Sequence, residues 1–210
     1  MPTILVVDDE PKIREALSRL LKHEGHVVHV AETGQSAIGK FLQDDFDLTL
    51  LDIALPDMNG LDVFGRLREK DGSAVCVFIT AFGTVQSAVE AMRLGAVDFL
   101  EKPFDRPALL QALCVAMQWA SKGRVDARAD AAAAAAQVSH LTPRELTIFN
   151  EFAVGASTKQ VARTLTLSPK TVETYRTRLL SKLDVDTPYA LVRLAVLNLL
   201  FGNQEPTERM

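Results

Sequence analysis

Short apolar runs recur through the first half of the chain at Thr3–Val7, Val27–Ala31, Leu48–Leu51, Val75–Ile79 and Val97–Leu100. Each is brief and rich in β-branched residues, which predicts strands. Between them lie stretches with apolar residues three or four apart, such as Ile13, Leu17, Leu20 and Leu21, or Leu61, Phe64 and Leu67. That is the spacing of amphipathic helices. Strict alternation of β and α elements predicts a parallel sheet covered by helices on both faces. Unbroken apolarity within the runs predicts strands buried on both sides. Five repeats finish near Trp119.

The pattern then dissolves into Arg124-Val125-Asp126-Ala127-Arg128-Ala129-Asp130 and six consecutive alanines. Alanine has the best helix propensity, which favours a continuous helix through residues 123–139. A disordered tether is the alternative, because alanine offers little surface to bury. At Leu141-Thr142-Pro143-Arg144-Glu145 order resumes: Thr142 can cap a helix, Pro143 fits its first turn and Glu145 completes a Thr-x-x-Glu box. Gly155 closes that helix, Ser157 can cap the next, Ser168-Pro169 starts a third running to about Leu183, and a fourth covers Ala190 to Phe201. The expected domains are therefore residues 1–122, a linker at 123–139, a small four-helix domain at 140–204 and a tail at 205–210.

The composition of the 210 residues is that of an ordinary soluble protein. The longest apolar stretch, Ala190 to Phe201, is broken by Arg193 and Asn198 and is too short to span a membrane. The chain opens with no basic segment or small-residue cleavage site, so the expected location is the cytoplasm. Cys76 and Cys114 both read as small buried hydrophobes rather than a disulfide or metal pair. Charge changes the picture more. Residues 1–122 carry 18 acids and 12 bases, whereas residues 141–200 carry 5 acids and 8 bases, and such asymmetry makes the basic half a candidate for nucleic acid.

Asp8-Asp9-Glu10, Asp52, Thr80 and Lys102-Pro103 each fall just past one of the apolar runs. If those runs pair in one sheet, acids, a hydroxyl and an amine converge at its carboxyl edge, where open α/β sheets bind ligands. Asp8, Asp9 and Asp52 supply more negative charge than an unoccupied site tolerates, so a Mg²⁺ ion is expected. Lys102 and Thr80 can contact phosphoryl oxygens, and Asp52 can act as nucleophile, carrying the group as an acyl phosphate. Taken singly, Asp8 and Asp9 also read as helix caps and Asp52 as a loop acid before Pro56.

These residues make residues 1–122 resemble a response-regulator receiver domain, through Val6-Val7-Asp8-Asp9-Glu10, Leu51-Asp52 with Leu55-Pro56-Asp57-Met58-Asn59-Gly60, Ile79-Thr80-Ala81 and Asp98-Phe99-Leu100-Glu101-Lys102-Pro103-Phe104. The resemblance implies a flavodoxin-like fold with strand order 2-1-3-4-5 and Asp52 as phosphoacceptor. It also implies Mg²⁺ bound directly by Asp9, Asp52 and the Ala54 carbonyl, with Asp8 acting through water. Thr80 and Phe99 become the switch pair, Thr80 moving toward the phosphoryl group and Phe99 turning into the space vacated. A cis Lys102–Pro103 bond is also implied. Ala54 and Phe82 occupy positions that influence hydrolysis, and neither can orient water, so a phosphoryl state outlasting seconds is expected.

On the third helix of the second domain, Val172, Leu179 and Leu183 share one face, with Tyr175 beside them. The opposite face presents Lys170, Glu173, Thr174, Thr177 and Ser181, flanked by Arg176, Arg178 and Lys182. A helix from Ser157, a short turn and this polar-faced helix form a helix-turn-helix layout. Residues 141–201 resemble a LuxR/FixJ-type DNA-binding domain through Leu141-Thr142-Pro143-Arg144-Glu145, Val161-Ala162, Leu167-Ser168-Pro169-Lys170-Thr171-Val172-Glu173 and Lys182-Leu183. The resemblance assigns Glu173, Thr174 and Thr177 to base edges, and Lys170, Arg176, Arg178 and Lys182 to phosphates. Thr166 stands where many relatives have glycine, which leaves the turn geometry open.

The two halves together imply a two-component transcriptional regulator, not an enzyme, phosphorylated by a partner histidine kinase and binding double-stranded DNA as a phosphorylation-dependent homodimer. An aspartate-nucleophile phosphatase would need an acid two residues after Asp52, where Ala54 stands. An output domain for protein or RNA is the other rival, and salt-sensitive duplex binding would separate it.

Overall fold

The computed structural model describes residues 1–81, 85–122, 134–185 and 188–201. Its elements begin with β1 (Thr3–Val7), α1 (Pro11–His23), β2 (Val27–Ala31), α2 (Gly34–Gln43), β3 (Leu48–Leu51), α3 (Gly60–Lys70), β4 (Cys76–Thr80), α4 (Val85–Arg93), β5 (Asp98–Glu101) and α5 (Arg106–Lys122). After these come α6 (Pro143–Ala153), α7 (Thr158–Thr164), α8 (Pro169–Lys182) and α9 (Pro188–Phe201). Residues 134–138 are helical. The remainder of the proposed linker helix, residues 123–133, lies outside the described residues, as does Phe82.

The chain divides into two compact units, Met1–Gly83 with Arg93–Arg124, and Thr84–Met92 with Val125–Met210. The first contains a five-stranded parallel sheet in the expected order, β2-β1-β3-β4-β5. Alternate residues of each strand point to opposite faces. Ile4, Val6, Leu48, Leu50, Val77 and Ile79 join Leu17 and Leu21 of α1 and Leu109 and Leu113 of α5 in one apolar cluster. Toward the other face, Phe78 meets Phe64 of α3 edge to face, with centroids 5.8 Å apart. Burial on both sides holds for β1, β3 and β4. It does not hold for β2, whose edge position leaves Val27 and Val30 exposed.

Two strand boundaries differ from those expected. β4 and β5 each lie one residue later than their apolar runs, because pairing, not apolarity, sets the ends: Thr49 pairs with Cys76 and Thr80 with Glu101. Thr80 is therefore the last residue of a strand rather than the first beyond it. α9 begins at Pro188, two residues earlier than its apolar run. Cys76 is buried as expected and its thiol pKa is pushed well up by desolvation. Cys114 is exposed on α5, contrary to expectation, since the strand-facing stripe of that helix runs through Leu109, Ala112, Leu113 and Ala116 instead.

In the second unit, Ile148, Phe149 and Phe152 of α6, Val161 of α7, Val172 and Leu179 of α8, and Leu191 and Val192 of α9 are buried. Both expected caps of the first two helices form: Thr142 with Glu145 and Ser157 with Gln160 each make a reciprocal capping box. Three helices of this unit end in the same way. At α6 the Gly155 amide donates to the Phe152 carbonyl and Ala156 to Glu151; at α7 Thr166 donates to Arg163 and Leu167 to Ala162; at α8 Asp184 donates to Ser181 and Val185 to Leu180. This pair of hydrogen bonds requires a left-handed residue. Gly155 takes it at φ 84°, but Thr166 and Asp184 do so at 55° and 52°. The turn between α7 and α8 thus keeps the geometry that glycine would give it.

Candidate functional site: an acidic pocket and a recognition helix

The carboxyl ends of β1, β3, β4 and β5 bring the predicted receiver residues together. Asp8 follows β1 and Asp52 follows β3, anchored by the Asp52 amide donating to the Val7 carbonyl at 2.9 Å. Lys102 follows β5, its amide donating to the Thr80 carbonyl at 2.8 Å. The side chains of Asp8, Asp52 and Thr80 are buried. Asp9 is exposed at the rim. The Lys102 side chain is only 9 % exposed, and its ammonium lies 2.6 Å from Asp8 Oδ2 and 2.7 Å from Asp52 Oδ2, with Glu10 at 3.5 Å. The Lys102–Pro103 bond is cis.

Burial pushes the Asp8 carboxyl above its ordinary pKa, opposed by its hydrogen bond from Lys102. Burial would likewise lower the Lys102 pKa, but the hydrogen bonds from its ammonium to Asp52 and Asp8 outweigh that effect and raise it. The charge is nonetheless unbalanced. One carboxylate oxygen from each of Asp8, Asp9 and Asp52 can lie within 4.8 Å of the others, and a single ammonium does not offset three carboxylates. An all-oxygen set of this kind suits a hard divalent cation, so these residues fit Mg²⁺.

Local bonds hold the pocket's frame. Asp8 Oδ1 accepts from the Glu10 amide, and Asp52 Oδ1 accepts from the Ala54 amide at 3.0 Å. Arg14 donates to the Asp8 carbonyl at 2.6 Å. Gly60 presses so closely on the backbone just after β3 that a Cβ there would stand 2.1 Å from the Asp52 carbonyl oxygen. Asp57, in the Leu55–Gly60 motif, accepts from the Gly34 and Gln35 amides at 2.8 Å each. It closes the amino end of α2 together with Thr33, which accepts from Ser36, and these amides hold the Asp57 carboxyl below its usual range. Its only sequence signal is an acid after Pro56 in a loop.

Phe99, the second expected switch residue, is 2 % exposed and its ring centroid lies 6.4 Å from that of Phe78. It occupies the interior in this structure.

In the second unit, the expected apolar face of α8 is buried at Val172, Leu179 and Leu183. Lys170, Thr174, Thr177, Arg178, Ser181 and Lys182 are exposed. The Thr174 and Thr177 hydroxyls donate to the carbonyls of Lys170 and Glu173 four residues earlier. Two further candidates are tied within the domain. Glu173 accepts from the Thr158 hydroxyl at 2.7 Å and pairs with Arg176 at 2.9 Å. Lys182 pairs with Glu145 at 2.7 Å. The latter contact, with the Thr142 amide, lowers the Glu145 pKa to about 2. The Thr158–Glu173 and Lys182–Glu145 links have no local sequence signal, because each joins different helices. Among the described residues, no helix is long and apolar enough to cross a membrane.

Residues 4–114 match the response regulator receiver domain family, and residues 139–195 match the bacterial regulatory proteins of the luxR family. Similar curated proteins include the transcriptional regulatory protein FixJ of Bradyrhizobium diazoefficiens, 33% identical over 92% of this chain and 94% of its own length. The transcriptional regulatory protein TdiR of Thauera aromatica is 30% identical over 87% of this chain and 80% of its own. Among solved structures, full-length FixJ from B. japonicum is 32% identical, covers 95% of this chain and 98% of that one, and has a TM-score of 0.54. The response regulator TrrA of Thermotoga maritima, solved in complex with Mg(2+)-BeF, is 36% identical, with a TM-score of 0.51 over 55% of this chain and 99% of its own. With both modules matched in order and relatives aligned almost end to end, the chain belongs to the FixJ-type response regulators, in which phosphorylation of a receiver controls a LuxR-type DNA-binding domain and thereby transcription.

Proposed function

We propose that Asp52 is the phosphoacceptor and that a partner histidine kinase is the donor. The observation that carries this is the Lys102 ammonium bridging Asp8 and Asp52 inside a pocket that Asp9 completes. An Asp52 carboxylate oxygen attacks the phosphorus of a phosphohistidine. The new O–P bond forms as the P–N bond breaks, and that electron pair remains on the imidazole nitrogen. Asp9, Asp52 and the Ala54 carbonyl would hold Mg²⁺ directly and Asp8 through water. When bound, the ion offsets charge on the carboxylates and the transferring oxygens. Lys102 exchanges its Asp52 partner for a phosphoryl oxygen while keeping Asp8, and Thr80 donates to another. Thr80 and Phe99 then relay the change to the surface.

Residues 1–122 act as the receiver, 123–139 as the linker and 140–204 as the DNA-binding domain. Phosphorylation shifts the population toward a homodimer that binds duplex DNA. The receiver turns over only its own phosphoryl group. Ala54 cannot orient a water, so the acyl phosphate outlasts many seconds. Treatment with acetyl phosphate and Mg²⁺, followed by selection of bound sequences from random duplex DNA, tests this reading. Enrichment of one sequence by wild type and none by Asp52→Asn is expected. Equal enrichment by both proteins would overturn it, as would acid-quenched label lost within a few seconds.

A further inference from the structure

We propose that Glu173 and Lys182 are positioning residues that pin the recognition helix α8 at its two ends, and that neither contacts DNA. Thr174 and Thr177 then read base edges and Arg178 grips phosphate. The inference rests on the DNA-binding reading and assigns its residues differently from family resemblance alone.

At the amino-terminal end, both Glu173 oxygens are engaged, one by Thr158 of α7 and the other by Arg176. With 100° between successive residues, Glu173 and Arg176 fall on the flank between the buried Val172 row and the exposed strip. One oxygen of the carboxylate thus reaches the supporting helix, although the side chain is 45 % exposed. At the carboxyl-terminal end, Lys182 donates to Glu145 Oε2, the same atom that receives the Thr142 amide and hydroxyl in the capping box of α6. The Glu145 side chain is only 14 % exposed. Releasing Lys182 to a phosphate would break the contact that ties the end of α8 to the cap of α6. The exposed strip retains what a major groove needs. Thr174 and Thr177 engage their hydroxyls internally, which leaves γ-methyls suited to thymine methyls.

Full-length protein treated with acetyl phosphate and Mg²⁺ is titrated, across a salt series, with its selected duplex, with single-base variants of that duplex and with mixed-sequence DNA. Lys182→Met should leave the slope of log K against log salt at the wild-type value, whereas Arg178→Met should reduce it by about 0.9 per bound subunit. Glu173→Gln should preserve the ranking of base variants, whereas Thr177→Ser should weaken one preference by roughly 4-fold, the effect of one methyl. Should Lys182→Met fail to fold, Glu145→Gln retains the capping acceptor and should weaken binding to both duplexes several-fold with an unchanged slope. A slope reduced by about 0.9 in Lys182→Met, a new base preference in Glu173→Gln, or tighter binding by Glu145→Gln would each overturn the inference. Wild-type protein without salt-sensitive duplex binding would instead overturn the DNA-binding reading, before any variant is made.

Discussion

The Lys102 ammonium lies 2.7 Å from Asp52 Oδ2, so the carboxylate proposed to attack phosphorus is covered by a cation almost as deeply buried as itself. The same ammonium holds Asp8. Lys102→Met would leave two buried carboxylates beside each other without compensation. Removing one partner of such a pair costs about 3–5 kcal/mol, and unfolding in metal-free buffer should show a loss near the lower figure because Asp9 sits at a wet rim. Added millimolar Mg²⁺ should recover much of it, since a ligand that binds only the folded state stabilises by mass action. A denaturation midpoint unchanged from wild type without metal would show that Lys102 does not balance the pocket.

Gly60→Ala tests the pocket's frame. The added Cβ would meet the Asp52 carbonyl oxygen at 2.1 Å, with the backbone of Ile53 close behind. The Gly60 amide is already fixed to the Ile53 carbonyl at 2.8 Å, so retreat breaks a bond. Overpacking of this kind costs about 1–3 kcal/mol. Labelling by acetyl phosphate should fall with stability, and wild-type labelling in a stable variant would refute the claim.

Thr166→Gly should stabilise the protein. A β-branched residue at φ 55° sits where left-handed backbone costs an L-residue roughly 1–2 kcal/mol. Glycine removes that strain but gains freedom in the unfolded chain, about 0.5–1 kcal/mol against it. A net gain of several tenths of a kcal/mol is expected, read as a higher denaturant midpoint at unchanged m-value. A lower midpoint would contradict the strain argument.

The Glu145–Lys182 contact predicts an acid-labile second unit. Lys182 holds the Glu145 pKa at about 2, below its ordinary 4.5. A depressed carboxyl pKa means the unfolded chain binds the proton more readily, so the stabilisation is complete above about 4.5 and is lost as pH falls toward about 2. Stability measured by helical signal across that window should decline in wild type and decline less in Glu145→Gln. Parallel pH curves for the two proteins would remove Glu145 as the cause.

The sheet and its acidic edge were legible because they rest on local pattern: unbroken apolar runs gave β1 to β3 their bounds, and Asp8, Asp52 and Lys102 announce themselves at run ends. Where pairing partners decide, local pattern fails. Thr80 joins β4 because Glu101 faces it across the ladder, and Cys114 is exposed because α5 presents a stripe that its generally apolar sequence does not distinguish. The capping boxes at Thr142 and Ser157 follow from residues three apart. The Glu173–Thr158 and Lys182–Glu145 links join residues 15 and 37 positions apart and emerge only when helices meet.

Asp57 gives the loop after Asp52 a second anchor on a different element. Its two bonds to Gly34 and Gln35 couple the loop that follows β3 to the amino end of α2. Tilting α2 would therefore drag the segment carrying Ala54. The geometry of the acidic pocket becomes a property of that helix as well as of the acids themselves.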